Sequence, residues 1–149
     1  LPHFRRRGGG VIVNVSSSTT LKSLPMLAVY TASKAALNAF TESLALELAP
    51  FDVRVRLVIP GQAPETTFGQ NARTRMQKQG IVVPEAYAEL ARSVLERMGA
   101  QRVGPLTRPL DVAEAIWRAA NERSCPIRQP AGADAVALAE ASSALGSAA

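Results

Sequence analysis

Cysteine is almost absent from this sequence: Cys125 is the only one in 149 residues. A single thiol excludes an internal disulfide and a thiolate-built metal site. It also fits a reducing compartment, so a cytoplasmic location is expected. Aromatic residues are scarce, at 5% of the chain, which leaves little to stack on nucleobases. No apolar run approaches the roughly 20 residues that cross a bilayer. The Arg5-Arg6-Arg7 cluster is not followed by the apolar stretch of a signal peptide. Internal repeats and composition breaks that would mark a linker are missing too. What remains is an ordinary globular composition, 47% hydrophobic and 19% charged, of one-domain length and sufficient to bury a core.

The net charge of +5 and a pI near 10.1 invite a nucleic-acid reading. The distribution argues against it. The 17 Lys and Arg residues are scattered, with Arg5 to Arg7 the only run. They read as solvated faces, and neither a nucleic acid nor a membrane is expected as a partner.

The apolar run Val11 to Val15 is short and β-branched, as a buried strand would be. Gly8-Gly9-Gly10 precedes it and Ser16 to Thr20 form a polar loop after it. A long helix is expected over Ala28 to Ala49. Leu37, Phe40, Leu44 and Leu48 fall on one face, alanines raise the propensity, and Pro50 ends it. Val53 to Ile59 reads as a second strand, stopped by Pro60-Gly61. A polar loop is expected over Gln62 to Asn71.

Further helices come after it. One spans Pro84 to Met98, with Tyr87, Leu90, Ala91, Val94 and Met98 on one side. Another starts near Pro109, with capping-box spacing at Asp111 and Glu114 and Val112, Ala115, Ile116 and Ala119 as its apolar face. Pro126 to Gly132 is expected to be extended or turning, with a short strand at Ile127, and Asp134 to Ala144 to be helical. Strand, helix and strand in alternation imply an α/β fold with a parallel sheet, joined by a right-handed crossover.

Tyr30 and Lys34 stand four apart at the start of the long helix. That spacing puts them on one face, about 6 Å apart along the axis. A free tyrosine has a pKa of about 10 and is a poor acid or base at neutral pH. A nearby ammonium favours the phenolate, and a tyrosine so tuned can give a proton to a carbonyl oxygen or take one from an alcohol. Ser17 lies 13 residues earlier, at the C-terminal end of the first strand, where open α/β sheets collect ligands. Each signal has a plainer reading. A Tyr–Lys pair at this spacing is commonly an aromatic ring packed under a lysine stem, and serines after a strand commonly form a turn.

The set is more specific than its parts. Val11-Ile12-Val13-Asn14-Val15-Ser16-Ser17, Tyr30-Thr31-Ala32-Ser33-Lys34-Ala35-Ala36, Val53-Arg54-Val55 and Pro60-Gly61 resemble, in type and spacing, the second half of a short-chain dehydrogenase/reductase. The resemblance is strong over Gly8 to Thr67 and continues weakly through Asp111-Val112-Ala113. It implies the C-terminal part of a Rossmann-like, doubly wound parallel sheet with flanking helices. Residues 1–149 would then be a single partial domain whose N-terminal cofactor-binding strands are missing.

The implied function is hydride transfer between NAD or NADP and a small carbonyl or secondary alcohol. Tyr30 would be the general acid/base. Lys34 would hold the nicotinamide ribose and lower the tyrosine pKa. Ser17, ahead of Ser16 and Ser18, would orient the substrate oxygen. Pro60 and Gly61 would shape the loop beside the nicotinamide ring, and Thr66 or Thr67 would contact the cofactor. Gln62-Ala63-Pro64-Glu65 set Thr66 one residue further from Gly61 than the family spacing. Asn14 matches a strand position rather than the family's catalytic asparagine.

No glycine-rich turn follows a strand here, and Gly8-Gly9-Gly10 comes before one. The chain is therefore expected to be a piece of a longer enzyme, or a truncated or inactive form of one with no catalysis of its own. The resemblance also implies a homodimer or homotetramer for the full-length protein, with the long helix against its copy; Phe40, Leu44 and Leu48 would serve that contact or, on the plainer reading, the sheet. Substrate specificity is expected within Gln62 to Gly104, with Phe68, Met76, Tyr87 and Met98 as possible lining residues.

Overall fold

The computed structural model describes residues 1–100 and 104–146, without the side chains of residues 98–100, 145 and 146. The Met98 side chain, expected on the helix face and in the substrate region, therefore lies outside the described residues.

Three parallel strands form the sheet: β1 (Gly10–Val15), β2 (Val53–Pro60) and β3 (Arg128–Ala131), in the order β1-β2-β3. Residues 10–15 pair in register with 53–58, and 57–60 with 128–131. α1 (Pro2–Arg7) leads into β1 through Gly8 and Gly9, and α2 (Ala28–Leu48) is the crossover to β2. α3 (Phe68–Lys78), α4 (Ala88–Ala100) and α5 (Pro109–Asn121) come after β2, and α6 (Ala133–Gly146) comes after β3. Among the described residues, no helix is long and apolar enough to cross a membrane.

The sheet is covered on both faces because β2, its middle strand, buries side chains in both directions. Val53 and Val55 pack with Leu44 and Leu48 of α2, joined by Phe4, Ile12 and Ala45. On the other face Val58 packs with Ala115 and Ala119 of α5 and with Ala131, joined by Val13, Val112 and Ile116. Burying each larger side chain contributes about 1.5–3 kcal/mol. The expected apolar face of α5 is thus the one that is buried. The arginines of β2 serve the same layer. The Arg54 guanidinium donates to the carbonyls of Ala120 and Glu122, at 2.8 and 3.1 Å, and Arg56 donates to that of Arg123. Cations so placed satisfy the orphan carbonyls at a helix end.

Several sequence expectations are corrected. Phe40 is 57% exposed. The face of α2 that meets the sheet is instead Asn38, Thr41, Leu44 and Leu48, because polar partners await the first two: Ser16 just past β1 and Asn14 on it. Residues 68–71 are not loop: α3 begins at Phe68. The helix expected from Pro84 begins at Ala88, after a single turn over Glu85–Tyr87. On its expected face Val94 is buried, but Tyr87 and Leu90 are exposed. The N-terminus of α5 is closed by Asp111 accepting from the Arg108 backbone N–H at 2.8 Å, so the capping pair is Arg108 and Asp111 rather than Asp111 and Glu114.

Candidate active site

The site is assembled at the C-terminal ends of β1 and β2. Val15 pairs with Val58, and the Ser16 N–H donates to the Val58 carbonyl at 2.8 Å. The loop that leaves β1 is thereby set beside the one that leaves β2.

α2 supplies Tyr30 and Lys34 from its first two turns. The Lys34 ammonium donates to the Val15 carbonyl at 3.0 Å, which fixes it at the end of β1. It also lies 5.8 Å from the Tyr30 ring centroid, within cation–π range. The sequence spacing of four therefore produces a close pair, as helix geometry demands. The Tyr30 ring is half-buried and stands 6.3 Å from the ring of Phe68, tilted by 54°. Phe68 opens α3, so the start of this helix stands beside the tyrosine.

The three serines differ. Ser16 is buried and its hydroxyl donates to the Asn38 side-chain oxygen at 2.5 Å. Asn38 in turn donates to Thr20 Oγ1 at 3.1 Å. This buried chain locks the loop after β1 onto α2. Ser17 is half-buried, and its oxygen accepts from the Thr19 N–H at 3.3 Å and the Thr19 hydroxyl at 3.2 Å. Both contacts use lone pairs, which leaves the Ser17 hydrogen for another acceptor. Asn14 sits deeper, donating to Thr41 Oγ1 at 2.9 Å.

Pro60 ends β2 and Gly61 donates from its N–H to the Ala131 carbonyl at 3.1 Å. The next N–H, of Gln62, donates to the Asp134 carboxylate at 2.7 Å. Thr66 turns inward on its own loop: its hydroxyl donates to the Ala63 carbonyl at 2.8 Å and accepts from the Phe68 N–H at 3.4 Å. Thr67 Oγ1 accepts from the Asn71 amide. Among the described residues, no hydrogen bond or ring contact ties either threonine to Tyr30 or Lys34. Met76 and Tyr87 are exposed.

Sequence reasoning missed Asn38, Thr107 and Asp134. The first was hidden because an asparagine inside an apolar stripe carries no periodic signal. The others lie far along the chain from the loops they hold. Among the described residues, no group of three or more His, Cys, Asp or Glu side chains is placed to hold a metal ion. No resolved electrostatic shift falls on Ser17, Tyr30 or Lys34 themselves. The Arg123 guanidinium hydrogen-bonds Asp52 and holds its carboxyl below the usual range, and Arg108 does the same for Asp111.

The candidate site fits the nicotinamide-ribose end of a dinucleotide. Lys34 has three ammonium donors and directs one of them to Val15. The glycines do not provide the other end. Gly8, Gly9 and Gly10 border a hollow with Asp52, Arg54 and Arg123, at the opposite end of the strands from Ser17.

Comparison with known proteins identifies the family. A family model described as short chain dehydrogenase matches residues 1–77. The oxidoreductase YusZ of Bacillus subtilis, itself uncharacterised, is 33% identical over 137 residues, covering 89% of this chain and 46% of that protein. A crystal structure of a short-chain dehydrogenase from Streptomyces avermitilis superposes with a TM-score of 0.70 at 31% identity, covering 99% of this chain and 50% of that one. A short-chain dehydrogenase from Burkholderia cenocepacia J2315, in complex with NADP, gives 0.63 at 25% identity, covering 99% and 49%. The chain thus spans about half the length of the relatives and solved structures it matches. The parallel α/β layers are Rossmann-like, and this chain belongs to the short-chain dehydrogenase/reductase family of oxidoreductases.

Proposed function

We propose that the protein carries the catalytic half of an NAD- or NADP-dependent oxidoreductase acting on a small carbonyl or secondary alcohol. The observation that carries this reading is the Lys34 ammonium held between the Val15 carbonyl and the Tyr30 ring. The nicotinamide supplies or accepts the hydride when bound. Tyr30 donates the balancing proton to the carbonyl oxygen during reduction and removes it during oxidation. Ser17, with its hydrogen uncommitted, orients that oxygen. Lys34 holds the ribose with the ammonium donors that Val15 leaves free. Pro60 and Gly61 line the side of the ring, and Thr66 meets the cofactor only if its loop opens.

A second reading rests on the length of the relatives and on the position of Gly8-Gly9-Gly10, at the wrong end of β1 for a pyrophosphate. In it the chain has no autonomous catalysis, and the strands that complete the cofactor site would pair on the free edge of β1. The full-length protein would then be a homodimer or homotetramer, with the outer face of α2, including the exposed Val29, Phe40 and Leu46, as its contact.

Titration of the purified chain with NADH and NADPH, followed by fluorescence, separates the readings. Binding together with reduction of a model ketone supports the first. No binding and no turnover, with activity gained in a form extended at the N-terminus, supports the second. In whichever form is active, Tyr30→Phe is expected to remove most turnover and leave nucleotide affinity nearly unchanged. Normal turnover in that variant would sink the mechanism.

A further inference from the structure

We propose that Asp134 is a positioning residue for the candidate site, holding the segment from Gly61 to Phe68 over Tyr30. This rests on the oxidoreductase reading for its ligand, a nicotinamide nucleotide, and on local geometry for the rest.

The carboxylate lies in the first turn of α6, where the helix N-terminus favours a negative charge. One oxygen accepts from the Gln62 N–H at 2.7 Å. The other accepts from the Thr107 hydroxyl at 2.5 Å, and that same hydroxyl lies 3.0 Å from the Ala131 carbonyl. Thr107 is buried. One side chain thus joins the loop after β2, the approach to α5 and the turn after β3. Bonds to an ionised acceptor are the stronger kind.

Two glycines are shaped by this knot. A Cβ on Gly61 would overlap the Asp134 carboxylate, and one on Gly132 would overlap the Thr107 side chain. Gly132 also has φ 93°, which a side chain would strain. The glycine of the Pro60-Gly61 pair is thus required locally by the close approach of Asp134.

The tether matters because little else holds the residues beyond it. Residues 63–66 bond to one another, with the Thr66 N–H and hydroxyl both on the Ala63 carbonyl. α3 has no buried residue. The position of Phe68, 6.3 Å from Tyr30, therefore depends on where the loop leaves β2. Among the described residues, the Gln62 N–H makes the last hydrogen bond from that loop to the body of the fold. Loss of the carboxylate would release Gln62 to Phe68 and open the β2 side of the site, with Ser17, Tyr30 and Lys34 undisturbed.

Asparagine at position 134 can keep both contacts. Its oxygen can accept from the Gln62 N–H while its NH2 donates to Thr107 Oγ1, whose own hydrogen goes to the Ala131 carbonyl. Alanine can keep neither. Amide hydrogen exchange on the wild-type chain, Asp134→Ala and Asp134→Asn provides the test. Exchange at Gln62 is expected to quicken by about tenfold or more in Asp134→Ala, the loss of one such hydrogen bond, and to stay near wild type in Asp134→Asn. The amides of Ser16 and Leu57 should be unmoved in both variants. Unchanged exchange at Gln62, or an equal rise at Ser16 and Leu57, would overturn the anchoring role.

The ligand half is read by titrating the same proteins with NADH and NADPH. Affinity is expected to weaken by about tenfold in Asp134→Ala and to recover in Asp134→Asn. Equal affinity in all three would overturn the site role. A wild-type chain that binds neither nucleotide sinks the reading in which this chain holds the cofactor by itself, and this half of the proposal with it, while the exchange measurement decides the anchoring by itself.

Discussion

The hydroxyl of Ser16 donates to the side-chain oxygen of Asn38 across 2.5 Å, in the buried seam between the end of β1 and α2. Its neighbour Ser17 faces the other way and only accepts, from Thr19. Adjacent serines in one motif thus hold different positions, one inside the fold and one at its rim.

That division predicts opposite behaviour on truncation. Asn38→Ala leaves the buried Ser16 hydroxyl with only the Lys34 carbonyl at 3.4 Å. A stability loss of about 1–3 kcal/mol is expected for a buried group left unsatisfied, read from urea unfolding. Ser16→Ala should cost a similar amount, because it strands the Asn38 oxygen. Ser17→Ala loses only the cap it gives Thr19 and should lower the urea midpoint less than Ser16→Ala does, while removing most turnover in an active form of the enzyme. Destabilisation by Ser17→Ala equal to that of Ser16→Ala would mean that both serines are structural.

The same seam explains how far the sequence could be read. β1, α2 and β2 were legible because strand and helix periods are strong in Val11–Val15, in Leu44 and Leu48, and in Val53–Ile59. Phe40 misled because it shares the apolar spacing, whereas the buried positions beside it are Asn38 and Thr41. Their burial is stabilised by hydrogen bonds from Asn14 and Ser16, and a hydrophobic pattern is blind to that. α3 reads in part as loop because it buries nothing and so needs no apolar stripe. Of the site, Tyr30 and Lys34 could be placed together from spacing alone. Asp134 could not: its partner Gln62 is 72 residues away, and only the parallel sheet brings them together.

Acid sensitivity should appear at Asp52. Its carboxylate pairs with Arg123 at 2.8 Å, and that hydrogen bond, with the charge of Arg123, holds its pKa below the usual value. A folded pKa that is depressed adds stability above the unfolded value of about 3.9, and the gain disappears as pH falls through the folded value. The gap in urea midpoint between wild type and Asp52→Asn should therefore be constant from neutral pH to about 5 and close below about 4. Asparagine suits the comparison because Asp52 has φ 51°, a left-handed conformation that Asn tolerates. A gap that widened on acidification would contradict the sign. High salt should narrow it at neutral pH, since the pair is exposed.

Gly61 and Asp134 should be energetically coupled. The close approach that lets the carboxylate reach the Gln62 N–H leaves no room for a Cβ on Gly61. Gly61→Ala must push the carboxylate aside, costing its bonds to Gln62 and Thr107 as well as adding strain. In Asp134→Ala those bonds are already gone and the space is open, so a methyl at position 61 meets little resistance. The double variant should thus be less destabilised than the sum of the two single variants, by about 1–2 kcal/mol, the scale of contacting pairs. Urea unfolding of the four proteins measures that difference directly. Strict additivity would show that the glycine is needed for some reason other than Asp134, and would remove the close packing on which the anchoring of the loop depends.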